Sequence, residues 1–220
     1  MFLALVPAYN EEKKIGSVVR SLFGHVDEIV VIDDGSKDAT AKVAREAGAT
    51  VLRHEINRGQ GAALETGHAY ARQRGASYVV HFDGDGQFDV ADIAAAKQHL
   101  IQAHADILFG SRFLHQQSDI PWTKRALLLP LARLVQKYVF GVSLSDAHNG
   151  FRILNRRALE KVVITQDRMA HATEIPVLAK HHGLVIIEFP VKIHYHQYGQ
   201  GPKGALRILK DLFIGQFVDK

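Results

Sequence analysis

The sequence predicts an α/β fold, a parallel central sheet flanked by helices. Two features carry this expectation. Apolar runs of strand length alternate, through the first half of the chain, with stretches whose apolar residues recur at the helical period of about 3.6 residues. Glycines follow two of those helical stretches, at Gly48 and Gly75, where a left-handed residue commonly ends a helix.

The elements follow in order. Phe2 to Val6 is the first strand. Asn10 stands where it would cap a helix with Ile15, Val18, Val19, Leu22 and Phe23 on one face and Glu11 and Glu12 near its positive end. Glu28 to Asp33 reads as the second strand, Asp38 to Ala47 as a helix, and Thr50 to Arg53 as the third strand. A helix from Gly61 to Arg74 leads to a fourth strand, Ser77 to Phe82, then a helix from Asp89 to Ala103 and a strand from Asp106 to Gly110. From Phe113 onward the pattern changes. No repeat, low-complexity tract or linker interrupts the chain.

With 220 residues, 47% of them hydrophobic and 23% charged, the chain can bury a sizeable core. Lys plus Arg exceed Asp plus Glu by 27 − 23 = 4, a mild excess that suits phosphate-bearing ligands or an anionic membrane surface. No nucleic-acid partner is expected from it. The absence of cysteine excludes disulfide and thiolate chemistry and fits the cytosol. The N-terminus enters a strand directly, without a basic and apolar leader, and no apolar run approaches the roughly 20 residues that span a bilayer. A dinucleotide site is disfavoured, because the first turn, Pro7-Ala8-Tyr9-Asn10-Glu11-Glu12, lacks glycine. A P-loop is absent as well.

Two carboxylates emerge together where the fourth strand stops, in Asp83-Gly84-Asp85-Gly86-Gln87. Strand side chains alternate, so Asp83 and Asp85 point the same way. Gly84 and Gly86 leave room for a ligand beside the backbone. Hard carboxylate oxygens suit Mg²⁺ or Mn²⁺, which commonly binds through one or two carboxylates while substrate phosphates supply other ligands. An acidic turn without a ligand is the plain alternative.

Taken in order, Pro7-Ala8-Tyr9-Asn10-Glu11-Glu12, Val31-Ile32-Asp33-Asp34-Gly35-Ser36-Lys37-Asp38-Ala39-Thr40, Asn57-Arg58-Gly59-Gln60-Gly61-Ala62-Ala63-Leu64 and Asp83-Gly84-Asp85-Gly86-Gln87 resemble the family 2 glycosyltransferases. The resemblance continues through Gly110-Ser111-Arg112, Asp146-Ala147-His148-Asn149-Gly150-Phe151-Arg152 and Glu188-Phe189-Pro190, and is strongest toward dolichyl- and polyprenyl-phosphate sugar transferases. It implies a GT-A fold, with a mixed, mostly parallel central sheet flanked by helices, as one domain over 1–220, with a nucleotide-sugar half at 1–112 and an acceptor half at 113–220. It also implies a nucleotide-sugar donor, a divalent metal and inversion at the anomeric carbon.

Carried over residue by residue, the resemblance places the nucleotide against Pro7, Tyr9 and Glu11. One of Asp33 and Asp34 would accept hydrogen bonds from base or ribose while the other caps the turn through Gly35. Asp38 reads as a cap. Asp83, Gly84, Asp85 and Gln87 resemble the metal and diphosphate motif, with Asp83, Asp85 and Gln87 as ligands and Asp85 the direct one.

A phosphate acceptor is already anionic near neutral pH and needs clamping more than deprotonation. Arg112, Arg125 and Arg152 match or lie near basic positions of the lipid-phosphate transferases, and guanidinium forks suit phosphate oxygens. Arg125 also reads as a solvated helix charge. Asp146 orients the acceptor, acts as a base toward a hydroxyl, or pairs with Arg152. Glu174 reads as structural or catalytic.

Pro121 to Phe140 mixes Trp122, Leu127, Leu128, Leu131 and Leu134 with Lys124, Arg125, Arg133 and Lys137, a pattern that suits a membrane interface and equally a core-covering or dimer helix. A homo-oligomer therefore stays open. Ala205 to Val218 repeats the mixture. Where many lipid-phosphate mannosyltransferases carry an arginine and a Gly-x-Ser-Lys segment, this chain reads from His194 to Gly204, keeping Lys203 as a cation for phosphate. His194 and His196 read as donor-loop or surface histidines. The expected partners are a nucleotide-sugar donor, a polyprenyl phosphate or lipid-linked acceptor, and the cytoplasmic face of a membrane. The alternatives are transfer to a sugar hydroxyl of a surface or lipid-linked glycan, and a catalytically silent nucleotide-sugar-binding protein.

Overall fold

The computed structural model describes residues 1–114 and 144–193. Arg125, Lys203, His194, His196 and both mixed apolar and basic stretches lie outside the described residues. Seven strands form one sheet: β1 (Phe2–Ala8), β2 (Glu28–Asp33), β3 (Thr50–Arg53), β4 (Tyr78–His81), β5 (Ile107–Ser111), β6 (Arg152–Asn155) and β7 (Ile186–Pro190). Their spatial order is β3-β2-β1-β4-β6-β5-β7. Only β6 runs against its neighbours, pairing antiparallel with both β4 and β5. The expected mixed, mostly parallel sheet is therefore present.

The helices are α1 (Ile15–Leu22), α2 (Thr40–Glu46), α3 (Gln60–Gln73), α4 (Ala91–Gln102), α5 (Arg156–Lys161) and α6 (His171–His181). Each strand's alternation feeds two cores. Phe2, Ala4 and Val6 of β1 join Ile15, Val19 and Leu22 of α1 and Ile93 and Leu100 of α4 on one face. Leu3 and Leu5 join Leu64 and Ala71 of α3 with Leu159 and Ile175 on the other. Burying such side chains on both faces supplies the main driving force for the fold.

The sequence missed β6, β7, α5 and α6, all in the second half. It also misplaced the start of α1. Asn10 is no cap: it sits in the left-handed region at φ 56°, and the helix begins only at Ile15 without a side-chain cap. Likewise β4 ends at His81, so Asp83 and Asp85 stand on the following turn rather than on a strand face.

Among the described residues, no helix is long and apolar enough to cross a membrane. What matters for chemistry is the point between β1 and β4, where the strand order reverses. Loops leaving the carboxyl ends of the two strands diverge there and open a crevice.

Candidate active site

A cleft of about 350 Å³ occupies that crevice. Its walls are Pro7, Ala8, Tyr9 and Glu11 from the loop after β1, Asp34 after β2, Asn57, Gly59, Gln60 and Ala63 around the start of α3, and Asp83, Gly84 and Asp85 after β4. Most residues singled out for the donor side thus meet in one place. Tyr9 keeps an exposed ring. Burial pushes the Glu11 carboxyl above its ordinary value, against the pull of Lys14 and with help from Asp85 and Asp38.

The two aspartates at the end of β2, Asp33 within it and Asp34 just beyond, divide their work. Asp33 is fully buried, accepts a hydrogen bond from the Ser36 N–H (3.1 Å) and forms an ion pair with Arg53 (3.2 Å). It caps the turn and does not line the cleft. Asp34 does line it, and its carboxylate also gathers the next loop, accepting from the N–H groups of Arg58 (2.9 Å) and Gly59 (2.6 Å) and contacting His54 Nδ1 (2.7 Å). Gly35 follows them at φ +71°. A Cβ there would meet the backbone of Ile56 and Asn57 at 2.7 Å, so the turn admits only glycine.

Asp83 is held from three sides. Gln60 Nε2 donates to its Oδ1 at 2.8 Å, Gly150 lies so close that a Cβ would collide with its Oδ2, and the Arg152 guanidinium is an electrostatic neighbour. Burial and then the Asp85 charge push its carboxyl up to about 6, with Arg152 and Gln60 pulling it back. Two hard carboxylates disfavouring each other beside a cleft make a fit for a divalent cation. Among the described residues no cluster of three or more His, Asp or Glu side chains could hold a metal alone. Further ligands would therefore come from a bound substrate. Gln87 departs from expectation: it does not line the cleft, and its backbone N–H donates to Asp85 Oδ1 at 3.0 Å.

The 146–152 segment departs more. Asp146 pairs with Arg112 rather than Arg152: Arg112 Nε and Nη2 each donate at 2.7 Å, the Arg112 backbone N–H adds a third bond, and Asn149 Nδ2 a fourth. A carboxylate engaged this fully is poorly placed to take a proton. Arg152 is only 1% exposed. Its Nη2 donates to the Ala147 carbonyl at 3.3 Å, while its Nε and Nη1 have no hydrogen-bond partner among the described residues. Burial lowers its pKa to about 10, opposed by Asp83 and Asp146. A guanidinium this buried cannot clamp an incoming phosphate directly in this conformation. Arg112, with a side chain 30% exposed, is the better placed of the two.

Sequence reasoning also missed a buried histidine group beneath Arg152. His68 and His81 touch through their Nε2 atoms at 2.7 Å, and His171 Nδ1 meets the Arg168 carbonyl at 2.6 Å. His81 is the cross-strand partner of Arg152. Burial drives His68 to about 3 and His171 to about 4, keeping both neutral beside the cation. Glu174 proves structural: its carboxylate accepts from the N–H groups of Thr165 (2.9 Å) and Gln166 (3.0 Å), fixing the loop that covers the start of α3.

The glycosyl transferase family 2 profile matches residues 4–163. The chain belongs to that family. It is 34% identical over 217 residues to the UDP-N-acetylglucosamine–dolichyl-phosphate N-acetylglucosaminyltransferase of Methanococcus voltae, spanning 88% of this chain and 86% of that one. It is 26% identical to the polyprenol monophosphomannose synthase of Mycolicibacterium smegmatis, over 96% of this chain and 84% of that protein. Glucosyl-3-phosphoglycerate synthase from Mycobacterium tuberculosis, solved with Mn²⁺, uridine diphosphate and phosphoglyceric acid, superposes with a TM-score of 0.70 at 21% identity, covering 97% of this chain and 76% of that one. The protein is a glycosyltransferase with the GT-A fold.

Proposed function

We propose that this glycosyltransferase moves a hexose from a GDP- or UDP-linked sugar onto a polyprenyl phosphate, with inversion at the anomeric carbon. The observation that carries the reading is the convergence of Pro7, Tyr9, Glu11, Asp34, Asp83, Gly84 and Asp85 on one cleft at the strand-order reversal. Tyr9 offers an aromatic face and Glu11 and Asp34 offer carboxylates to base and ribose. Asp83 and Asp85 would hold Mg²⁺ or Mn²⁺, with Asp85 the direct ligand, since Gln60 engages one oxygen of Asp83 and Gly150 packs against the other, whereas Asp85 accepts a hydrogen bond through Oδ1 alone among the described residues. When bound, the cation neutralises charge on the departing nucleoside diphosphate.

In the transfer, an oxygen of the lipid phosphate attacks the anomeric carbon from the face opposite the nucleoside diphosphate. The new carbon–oxygen bond forms as the bond to the diphosphate breaks, and the electron pair leaves with the diphosphate. No proton has to be removed from the attacking group. The engagement of Asp146 by Arg112 supports a phosphate acceptor over a hydroxyl one, because a hydroxyl would need a base. Gly150 against Asp83 ties the Arg112–Asp146 region to the donor cleft. The dolichyl-phosphate and polyprenol acceptors in the names of the two relatives support the same reading, as does the Mn²⁺ of the solved neighbour. A lipid acceptor means working at a membrane surface.

The test is to incubate the protein with radiolabelled UDP- and GDP-sugars, Mn²⁺ and a short polyprenyl phosphate, then extract into organic solvent. An acid-labile labelled lipid is expected. Label entering a lipid-linked oligosaccharide, and never the lipid phosphate, would overturn the assignment.

A further inference from the structure

The loop after β1 and the loop after β2 are joined by two reciprocal pairs of hydrogen bonds and one bond between them. Asn10 donates its backbone N–H to Ser36 Oγ (2.9 Å), and Asn10 Oδ1 accepts from the backbone N–H of Lys37 (2.9 Å). Glu12 donates its N–H to Asp38 Oδ2 (3.2 Å), and Glu12 Oε2 accepts from the N–H of Ala39 (3.0 Å). Between these pairs, the N–H of Glu11 donates to Thr40 Oγ1 (2.8 Å). The arrangement is a capping box drawn between two loops instead of within one helix. Neither α1 nor α2 takes a side-chain cap from its own N-cap residue, Lys14 or Ala39. Asn10, Ser36 and Glu12 direct their side-chain oxygens across the gap, and Asp38 divides its two between the gap and α2.

We infer that Ser36, Asp38 and Thr40 are positioning residues for the donor site, holding Asn10 in its left-handed conformation and so keeping Tyr9 and Glu11 on the cleft wall. This rests on the reading of the cleft as a nucleotide-sugar site. Asn10 separates the two residues that line it, and at φ 56° it occupies a region that a residue with a side chain enters only with local support. That support is visible: its N–H and its Oδ1 are both bound by the other loop. Thr40 is fully buried, and its hydroxyl can serve both ends, accepting from Glu11 while donating to Asp38 Oδ1 at 2.5 Å. Asp38 in turn splits its oxygens between the first turn of α2, through the Thr40 N–H, and the Glu12 N–H. Hydrogen bonds from Thr40 and Glu12 outweigh the effect of burial and leave the Asp38 carboxyl below its ordinary value, as expected of an ionised acceptor. None of the three residues lines the cleft. Their effect on a donor runs through the shape of the neighbouring loop. A loop already in its binding geometry loses less freedom when the ligand arrives.

The experiment uses the full chain with Thr40→Val, which keeps the shape and removes the hydroxyl, Ser36→Ala as a second variant, and Thr40→Ser as the conservative replacement. Titration with UDP and with GDP in Mn²⁺ should show Kd raised about tenfold by Thr40→Val or Ser36→Ala and restored by Thr40→Ser. Turnover at saturating donor should stay at the wild-type level. Backbone amides of residues 10 to 12 should exchange faster with solvent in the two defective variants, without nucleotide present. Unchanged Kd alongside faster exchange would overturn the positioning role, and so would a lowered kcat with unchanged KM, which marks general damage to the fold. Unchanged exchange would show that the bonds do not hold the loop in solution. If wild type binds neither nucleotide, the donor reading fails and the positioning claim goes with it, whatever the exchange data show about the bonds themselves.

Discussion

Around the cleft, the loops after β1 and β2 satisfy their polar groups with one another, through short backbone-to-side-chain bonds near the surface. Across the cleft, residues 146–152 bury a guanidinium with two nitrogens unpartnered among the described residues, above a set of neutral histidines. The first arrangement is a sum of small, separable terms. The second is a low-dielectric cluster in which Asp83 and Arg152 each favour the other's charged form, so that removing one affects the other.

The sharpest way to break this contrast is Arg152→Met. It leaves Asp83 beside Asp85 with only Gln60 to stabilise its charge, and should cost about 3 to 5 kcal/mol in urea unfolding. Ser36→Ala, on the other side, should cost only about 1 kcal/mol. Equal costs would mean that Arg152 does not compensate the Asp83–Asp85 pair.

Next in size is the exposed member of the Arg112–Asp146 pair. Arg112→Ala should lower transfer to polyprenyl phosphate about a hundredfold while nucleoside diphosphate affinity stays at the wild-type level, since charge-assisted bonds to phosphate are among the stronger ones. Parallel rate and calorimetry measurements decide it. A matched loss of nucleotide affinity would move Arg112 to the donor side.

The smallest effect separates the regions by pH. His68 and His171 have folded pKa values of about 3 and about 4, below their ordinary range, so between pH 6.5 and 4 the unfolded chain binds protons that the native one refuses. Stability should fall as pH drops through that window, by about 1.4 kcal/mol per pH unit for each histidine. Asp83, raised to about 6, works in the opposite direction over part of it, because its protonation below that value relieves the native state. Glu11, raised by burial, works the same way as Asp83, while His81, held well below its ordinary value by burial, adds to the other two histidines, so the net remains a loss. Asp38, lowered, contributes stability above its unfolded pKa that is lost only at still lower pH. Urea midpoints at pH 7 and pH 5 for wild type and His68→Phe test it. A midpoint insensitive to pH in wild type would contradict the neutral histidine cluster.

The same contrast explains what the sequence could disclose. β2 and β3 were legible to the residue, and Tyr9, Asp34, Asp83 and Asp85 were legible as a set, though Asp33 was grouped with them and does not line the cleft, because strand ends and local turns depend on residues close in sequence. Asn10 misled because its partners, Ser36 and Lys37, belong to another loop. The pairing of Asp146 with Arg112, 34 residues away, and the burial of Arg152 behind Asp83 depend on β6 running antiparallel between β4 and β5, which no local pattern announces. The histidines left a faint signal: His68 sits among apolar and small residues of α3, and His81 ends the run Tyr78-Val79-Val80, so both fall at positions where a side chain turns inward.

On the proposed function, this cleft holds a nucleoside diphosphate with the help of a cation at Asp85. Calorimetric titration of UDP and GDP, with Mn²⁺ and again with EDTA, tests it most directly on wild type and Asp85→Ala. One of the two nucleotides should bind wild type at least about tenfold more tightly with Mn²⁺, and Asp85→Ala should lose that gain while keeping the metal-free affinity. Equal wild-type affinity with Mn²⁺ and with EDTA, for both nucleotides, would contradict it.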